Sequence, residues 1–216
     1  MRLKILYALL GLMLSSTAVL AIAGKPGAMT PPDKVVQETA TEMFSAIDQH
    51  RAELQKDPEE LYKLVGKILL PHFDFDYAAR LVLGRYWRTA TPQQRKDFEV
   101  AFYKFLVHSY ADGMLRGNLS DRSVQVQPWR GSDSDTRTFV RSKVMLENGS
   151  PVAVDYAMVK TKDGWKAFDV TIEGISYVMN YRNQFGPEIQ QNGIDALIKR
   201  LNTESSKAAP MNGKQP

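Results

Sequence analysis

Three histidines, His50, His72 and His108, are the side chains best suited to acid–base chemistry near neutral pH. His108 is followed directly by Ser109 and, one helical turn later, by Asp112. Residues four apart on a helix share a face but adjacent residues point apart, so this spacing does not align serine with imidazole as a catalytic triad requires. His50 and His72 fall at predicted helix ends, where solvated or capping roles are usual. The sequence therefore offers no well-formed acid–base set.

Asp74 and Asp76 flank Phe75 and resemble a paired carboxylate. Acidic side chains in this setting more often cap the helix that follows. The sequence also has no cysteine, no HExxH motif, no EF-hand loop and no glycine-rich phosphate loop. We therefore predict that the protein is not an enzyme and uses no cofactor or metal. An enzyme built from scattered carboxylates, as in conical folds of the ketosteroid isomerase type, stays open as an alternative.

The first residues have the pattern of a cleavable secretory signal. Arg2 and Lys4 precede an almost unbroken apolar run at 5–20, and small residues precede the expected cut after Ala23. The run is shorter than the roughly 20 residues that a membrane-spanning helix needs. We therefore expect residues 1–23 to be a signal peptide and the mature chain to work outside the cytoplasm. Because no cysteine follows the cut, lipid attachment there is not expected.

Charge and length narrow the class of protein further. The chain has 28 basic and 24 acidic residues, a formal net charge of +4, and loss of the signal peptide brings it closer to neutral. A nucleic-acid binder would concentrate positive charge against phosphates, so that class is not favoured. The mature length suits one domain. We place it at 24–203 and expect a disordered polar tail at 204–216.

Hydrophobic periodicity divides the mature chain into a helical half and a strand-rich half. Apolar residues at helical spacing predict four helices in the first half. One spans 33–56, a second begins at Pro58 and ends at Pro71, a short third ends before Gly84, and a long fourth runs from a capping box at Thr91 to about residue 113. Period-two patterns and turn signals then predict strands at 123–127, 138–146, 151–161 and 165–172. Further helices are expected at 175–185 and 187–201. The predicted fold class is α+β, with helices on one face of a twisted four-stranded antiparallel sheet.

One face of this sheet is predicted to be apolar. The third strand places Val152, Val154, Tyr156 and Met158 on the same side. The second and fourth strands add apolar residues in the same alternation: Val140, Val144, Leu146, Phe168, Val170 and Ile172. An ordinary filled core is the commoner meaning of such a face. Periodicity alone does not distinguish a filled space between sheet and helices from a hollow one.

Three blocks of sequence resemble the MlaC family, also known as the toluene-tolerance family. The first block is LLPHFDFDYAA at 69–79 with LVLGRYW at 81–87, and the second is ATPQQR at 90–95. The third is GWKAFDV at 164–170, followed by IEGIS at 172–176 and NYRNQF at 180–185. The resemblance runs from about residue 33 to residue 201, and the blocks occur in family order.

The resemblance implies a hollow lipid pocket between the sheet and its helices, in which acyl chains lie while the headgroup stays near the mouth. It implies a periplasmic phospholipid carrier that shuttles lipid between membranes and maintains outer-membrane lipid asymmetry. The expected partners are phospholipid as cargo, an outer-membrane lipoprotein–porin complex, and the MCE-domain subunit of an inner-membrane ABC transporter. No nucleic acid, metal or catalytic residue is expected. A structural adaptor with a filled core and no ligand is a third hypothesis.

Strand alternation laid onto the family fold predicts which residues line the pocket. The lipid-binding candidates are Phe73, Phe75, Leu83, Val140, Val144, Val154, Tyr156, Met158, Phe168 and Val170. Met158 has a flexible side chain that adapts to varied tails. Arg85, Arg141 and Arg182 are candidates for a phosphate contact near the mouth, although a solvated or structural role is the commoner one for a surface arginine.

Overall fold

The computed structural model describes residues 29–115, 124–146 and 149–206. Within them the chain forms six α-helices and a five-stranded antiparallel sheet, so the predicted α+β class is confirmed. The predicted signal peptide, 1–23, lies outside the described residues. The helices are α1 (Pro32–Leu54), α2 (Pro58–Leu69), α3 (Phe75–Leu83), α4 (Pro92–Leu115), α5 (Tyr177–Asn192) and α6 (Ile194–Ser206), with short 3-10 helices at Leu70–His72 and Gly84–Arg88.

The helix starts follow local sequence signals. The Asp57 carboxylate accepts a hydrogen bond from the Glu59 N–H at the start of α2. Asp74 accepts one from the Tyr77 N–H at 3.0 Å, so it caps α3, as expected from its position. The predicted capping box is confirmed at α4: the Gln94 N–H donates to Thr91 Oγ1 at 3.1 Å and the Thr91 N–H donates to Gln94 Oε1 at 3.0 Å. These caps fix where α2, α3 and α4 begin.

The sheet has one strand more than predicted. Its strands are β1 (Val124–Val126), β2 (Arg137–Met145), β3 (Pro151–Thr161), β4 (Gly164–Ile172) and β5 (Ile175–Ser176), in sequential order. The prediction of four strands is therefore wrong in number. A strand of two residues leaves no period-two pattern to detect, and β5 pairs with β4 only at Thr171 and Ile172.

A β-bulge interrupts the alternation of β4. Ala157 pairs with Asp169, but the next residue, Met158, pairs with Ala167, which leaves Phe168 as the extra residue. Strict alternation along the strand predicts that Phe168 lies on the same face as Val170. The bulge breaks that relation, and the Phe168 ring packs edge-on against Tyr77 of α3, with centroids 4.9 Å apart.

The C-terminal helices are divided differently from the prediction. Pro187 lies inside α5 and does not start a new helix, and α5 ends before Gly193, which has φ 80°. Proline costs the helix one backbone hydrogen bond but does not end it here. The expected domain boundary at residue 203 falls within α6, which continues to Ser206 with Ser205 buried. Residues 207–216 of the predicted tail lie outside the described residues.

Three clusters of buried side chains hold these elements together. The first joins α3, α4, α5 and α6 around Phe98 and Phe185. The second joins α1, α2 and α4 around Ile47 and Val65. The third packs Val36 of α1 against the sheet. Helices and sheet are also linked directly, because the Asp74 N–H donates to the Ala167 carbonyl oxygen at 2.7 Å.

Candidate functional site: an apolar cavity between sheet and helices

A cavity of about 430 Å³ lies where α1, α2, α3, α4 and α5 meet β4. This volume is within the range of small-molecule sites, roughly 300–1,000 Å³. Nearly all of its wall is aliphatic or aromatic. The lining residues are Met43, Phe44, Ile47, Val65, Leu69, Phe73, Phe75, Ala78, Phe102, Tyr103, Leu106, Val107, Tyr110, Asp169, Val170, Ile172, Tyr177 and Val178.

The wall is built from the apolar stripes of helices that cross one another. Met43, Phe44 and Ile47 recur at one- and three-residue steps on α1, and Leu106 and Tyr110 lie one turn apart on α4. Such stripes normally close on each other in a core. Here they stay far enough apart to leave space, and an apolar space of this kind favours an apolar occupant over water.

Asp169 is the one carboxylate among the described residues of this wall, and each of its oxygens accepts a hydrogen bond within the protein. One oxygen accepts a hydrogen bond from the Ser176 hydroxyl at 2.5 Å, and the other accepts one from the Val178 N–H at 3.0 Å. Within the part of the chain that the structure describes, no lysine or arginine lines the cavity. A charged headgroup therefore finds no counter-ion among the lining residues, and the chemistry of the wall suits hydrocarbon.

Tyrosine hydroxyls supply the remaining polar groups of the wall. The Tyr103 hydroxyl donates its single hydrogen to the Tyr62 carbonyl oxygen, and the two oxygens are 3.1 Å apart. Burial raises the pKa of Tyr103 and of Tyr177 well above the ordinary tyrosine value. Burial, followed by the hydrogen bond to Tyr181, also raises the pKa of Tyr110 to about 12. All three phenols are thus neutral at physiological pH.

The structure brings Phe73, Phe75 and Val170 of the predicted lipid-binding residues to the cavity wall. The rings of Phe73 and Phe75 contact each other with centroids 4.6 Å apart. Phe73 is held in place because it forms a bridge with Ala167 beside β4. Their role in lipid binding stays a prediction.

The other predicted residues are not among those that line this cavity. Leu83 is 1% exposed and packs in the cluster around Phe98. Val140 and Met158 pack with α1 in the cluster around Val36, and Tyr156 contacts the same cluster. Three predicted residues remain. Val144 pairs with Val124 and Val152 within the sheet, Val154 is buried, and Phe168 lies at the bulge. Val140 and Met158 are thus covered by α1, whereas the hollow lies at Val170 and Ile172 of β4.

The three candidate arginines also lie away from the cavity wall. Arg85 donates to Tyr86 Oη at 2.8 Å and to Gln190 Oε1 at 3.2 Å. The Arg182 guanidinium lies against Gly84, close enough that a Cβ there would sit 2.8 Å from its Nε. Arg141 is exposed on β2 opposite Asp155.

Sequence reasoning missed most of the helical wall. The stripes of Met43, Phe44 and Ile47 on α1 and of Leu106 and Tyr110 on α4 were visible as inward faces. No signal in the sequence separates a stripe that lines a cavity from one that fills a core.

In residues 29–115, 124–146 and 149–206, no cluster of histidine or acidic side chains is placed to hold a metal ion. Across the same residues, no helix combines the length and the hydropathy needed to cross a bilayer.

Comparisons with known proteins agree on one family. The family model for MlaC protein matches residues 37–203. A curated relative from Haemophilus influenzae, described as the intermembrane phospholipid transport system binding protein MlaC, is 26% identical over 183 residues, covering 83% of this chain and 85% of its own. The toluene tolerance protein ttg2D of Pseudomonas putida is 31% identical over 169 residues, covering 78% of this chain and 77% of its own.

A solved structure has a similar fold. The phospholipid-binding protein from Ralstonia solanacearum, determined in complex with a phospholipid, superposes with a TM-score of 0.75 at 28% sequence identity. The similarity covers 82% of this chain and 98% of that one. The shared fold thus spans most of this chain.

Proposed function

The chain belongs to the MlaC protein family, and from that premise we propose that it is a phospholipid carrier that takes acyl chains into the cavity beside β4. The observation that carries the proposal is the cavity itself, about 430 Å³ with a wall of aliphatic and aromatic side chains. A structural adaptor would have a filled core, whereas a uniformly apolar lining suits a hydrocarbon ligand. The phospholipid bound to the Ralstonia relative supports the same cargo.

The energetics of tail burial support a carrier. Hiding one CH₂ group from water is worth about 0.8 kcal/mol, so a chain of roughly 15 carbons is worth on the order of 12 kcal/mol. A lipid leaves a bilayer for water very slowly because its tails must become exposed, which costs this free energy. A carrier replaces one apolar environment with another, so exchange between bilayer and protein can be nearly balanced. Affinity then depends mainly on the tails, and headgroup selectivity is modest.

We further propose that the protein works in the periplasm after removal of residues 1–23. There it would exchange lipid with an outer-membrane lipoprotein–porin complex and with the MCE-domain subunit of an inner-membrane ABC transporter, and so maintain outer-membrane lipid asymmetry. The names of the Haemophilus and Pseudomonas relatives, with their intermembrane transport and toluene tolerance, support this setting. No cofactor is required, since the lipid is cargo.

Native mass spectrometry of the purified mature protein, followed by lipid extraction, tests the carrier function. We expect diacyl phospholipid bound to the folded protein, and reloading from phospholipid vesicles after delipidation. Protein that purifies empty and does not load from vesicles would contradict the proposal. Turnover of a small apolar substrate, lost on changing one carboxylate, would favour the enzyme hypothesis instead.

A transfer experiment tests the partner proposal separately. The protein is loaded with a fluorescent phospholipid and mixed with vesicles that display the purified MCE-domain subunit. We expect faster transfer than to bare vesicles. Equal rates to both vesicles would remove this partner from the proposal while leaving lipid binding intact.

A further inference from the structure

The side chain of Tyr103 crosses from α4 to α2 in the wall of the cavity. Tyr103 projects from α4 and is 5% exposed, and its hydroxyl donates to the Tyr62 carbonyl oxygen of α2 at 3.1 Å. The side chain is therefore held at both ends, by its own backbone on α4 and by a hydrogen bond to α2. Because Tyr103 also lines the cavity, its ring closes the gap between these two helices.

Gly66 makes room for the Tyr103 hydroxyl on α2. A Cβ atom built at Gly66 would lie 2.8 Å from Tyr103 Oη, a distance that real Cβ atoms essentially never show. Glycine inside a helix is destabilising relative to alanine, and Gly66 lies within α2. The missing side chain at this position is what allows the hydroxyl to rest against the α2 backbone.

Two aromatic rings confine the Tyr103 ring from other directions. The Phe75 ring lies edge-on to it with centroids 5.1 Å apart, and the Tyr62 ring lies tilted against it with centroids 4.8 Å apart. Gly66 lies at the tip of the ring, so the remaining side of the ring faces the cavity. A displaced Tyr103 ring would therefore enter the space that a lipid tail would fill.

The burial of the wall changes along α4 and places Tyr103 at the enclosed end. Tyr103 and Val107 are buried, whereas Tyr110 is half-buried and its ring contacts Tyr177, two residues after the 60% exposed Ile175. The seven residues from Tyr103 to Tyr110 span about 10 Å of helix at 1.5 Å per residue. The cavity thus extends about this far along α4, from the Tyr103 end toward the protein surface near Tyr110.

A fixed ring at the enclosed end limits how far a lipid tail can enter. Each methylene group that is moved from water into an apolar site tightens binding by about fourfold. A tail that reaches the ring must leave its remaining methylene groups outside the cavity, where this gain is lost. A fixed obstacle therefore makes binding depend on the length of the tail.

From this juxtaposition, and resting on the proposed carrier function, we propose that Tyr103, seated against Gly66, is the stop that sets the length of acyl chain that the cavity accepts. Tyr103 contacts the end of the tail, and Gly66 is a positioning residue that acts through the Tyr103 ring. The rest of the apolar wall provides affinity for any tail, and the stop discriminates between tails by length.

The experiment loads the delipidated mature protein from vesicles that contain equal amounts of saturated phosphatidylcholines of increasing tail length, held above their melting temperatures. Mass spectrometry of the extracted lipid gives the enrichment of each length over the vesicle. A methylene group buried in both bilayer and protein leaves the enrichment unchanged, whereas each one left in water lowers it by up to about fourfold. We expect a flat profile for the wild type that falls beyond a cutoff length. A profile without a cutoff overturns the proposal.

The first variant removes the ring. Tyr103→Leu should move the cutoff to longer tails by about two carbons or more, because the deleted atoms leave space at the enclosed end. The matched control is Tyr103→Phe, which keeps the ring, and it should keep the wild-type cutoff. Tyr103→Met carries the same expectation as Tyr103→Leu if the leucine variant does not fold. A folded, loaded Leu or Met variant with the wild-type cutoff overturns the proposal, and so does an equal shift in Tyr103→Phe.

The second variant tests the positioning role of Gly66. The methyl group of Gly66→Ala presses on the Tyr103 hydroxyl and should tilt the ring into the cavity, so the cutoff should move to shorter tails. In the Tyr103→Leu background the same substitution should leave the cutoff unchanged, because the atom that it would meet is gone. A shortened cutoff that persists in that background overturns the role given to Gly66.

The same measurement separates the stop from the carrier function. A folded protein that extracts no phosphatidylcholine of any length contradicts the carrier function itself. Loading of all lengths without a cutoff contradicts only the stop and leaves lipid binding intact.

Discussion

The carboxylate of Asp169 on β4 accepts a hydrogen bond from the backbone N–H of Val178 in the first turn of α5, at 3.0 Å. The same carboxylate accepts a second bond from Ser176 Oγ, and Ser176 in turn caps the helix through the Met179 N–H. One side chain thus joins the sheet to the helix that carries Tyr177 and Val178 into the cavity wall. The relationship explains why an acidic residue lines an apolar cavity without serving its ligand.

Replacing Asp169 with alanine should destabilise the protein. The change leaves the Val178 N–H and the Ser176 hydroxyl without their acceptor, and loss of a part-buried cap costs about 1–3 kcal/mol. Urea unfolding followed by circular dichroism measures the loss. Asp163→Ala, in the exposed turn between β3 and β4, serves as the control and should stay within about 0.5 kcal/mol of wild type. Equal stability of both variants would show that Asp169 does not hold α5.

Two adjacent alanines on α3 should respond oppositely to leucine. Ala78 and Ala79 are both buried in the cluster around Phe98, but Ala78 also lines the cavity. Ala79→Leu overpacks that cluster and should destabilise the protein by about 1–3 kcal/mol. Ala78→Leu places its extra carbons in empty space, so stability of the lipid-free protein should hold while lipid binding weakens. Thermal unfolding and lipid titration measure the two effects. Similar destabilisation by both changes would argue that the cavity is closed in solution.

A carboxylate placed in the cavity wall should prevent lipid loading. Val170→Glu puts an unpaired charge against the tails, and burying it there is strongly unfavourable. Val100→Glu on the surface of α4, where the side chain is 45% exposed, is the matched control and should load as wild type does. Native mass spectrometry measures the bound fraction. Full loading of a folded Val170→Glu protein would place the lipid elsewhere.

The stability of the protein should fall in alkali through its buried tyrosines. Burial and the bond to Tyr181 raise the pKa of Tyr110 from 10.0 to about 12 in the folded state. A group whose folded pKa is raised contributes its full stability below the unfolded pKa, near pH 10, and loses it as the pH rises toward 12. Unfolding free energies measured on both sides of pH 10 should show this decline, and ultraviolet titration should show tyrosinate forming later than in denatured protein. Tyr110→Phe should weaken the dependence, and an unchanged slope would contradict the assignment.

Much of the architecture followed from local patterns. The capping box of Thr91 and Gln94, the Asp74 cap and the third strand were predicted because each depends on neighbours in the chain. Pro187 misled the prediction, because a helix whose faces are buried on Phe185 and Ile189 can tolerate one missing backbone bond. The packing of tertiary neighbours outweighed the local signal.

The predicted cavity residues also divide into those set by local pattern and those set by tertiary packing. Phe73, Phe75 and Val170 were predicted and line the wall, whereas Phe168 was misplaced because a bulge is a property of two paired strands. Leu83 and Met158 are as apolar as any wall residue, yet each packs in a filled cluster. Both residues are buried, as their hydrophobicity predicts. Hydrophobicity does not indicate whether a buried residue lines a cavity or packs in a filled core.

By itself the sequence determined the α+β class, most helix and strand positions and the apolar faces, since these follow from backbone propensity, capping and periodicity along one chain. Only the tertiary structure decided that α1 covers Val140 and Met158 while the space beside β4 stays open. That outcome depends on the distances at which separate helices come to rest against the sheet, and no local run of residues encodes those distances.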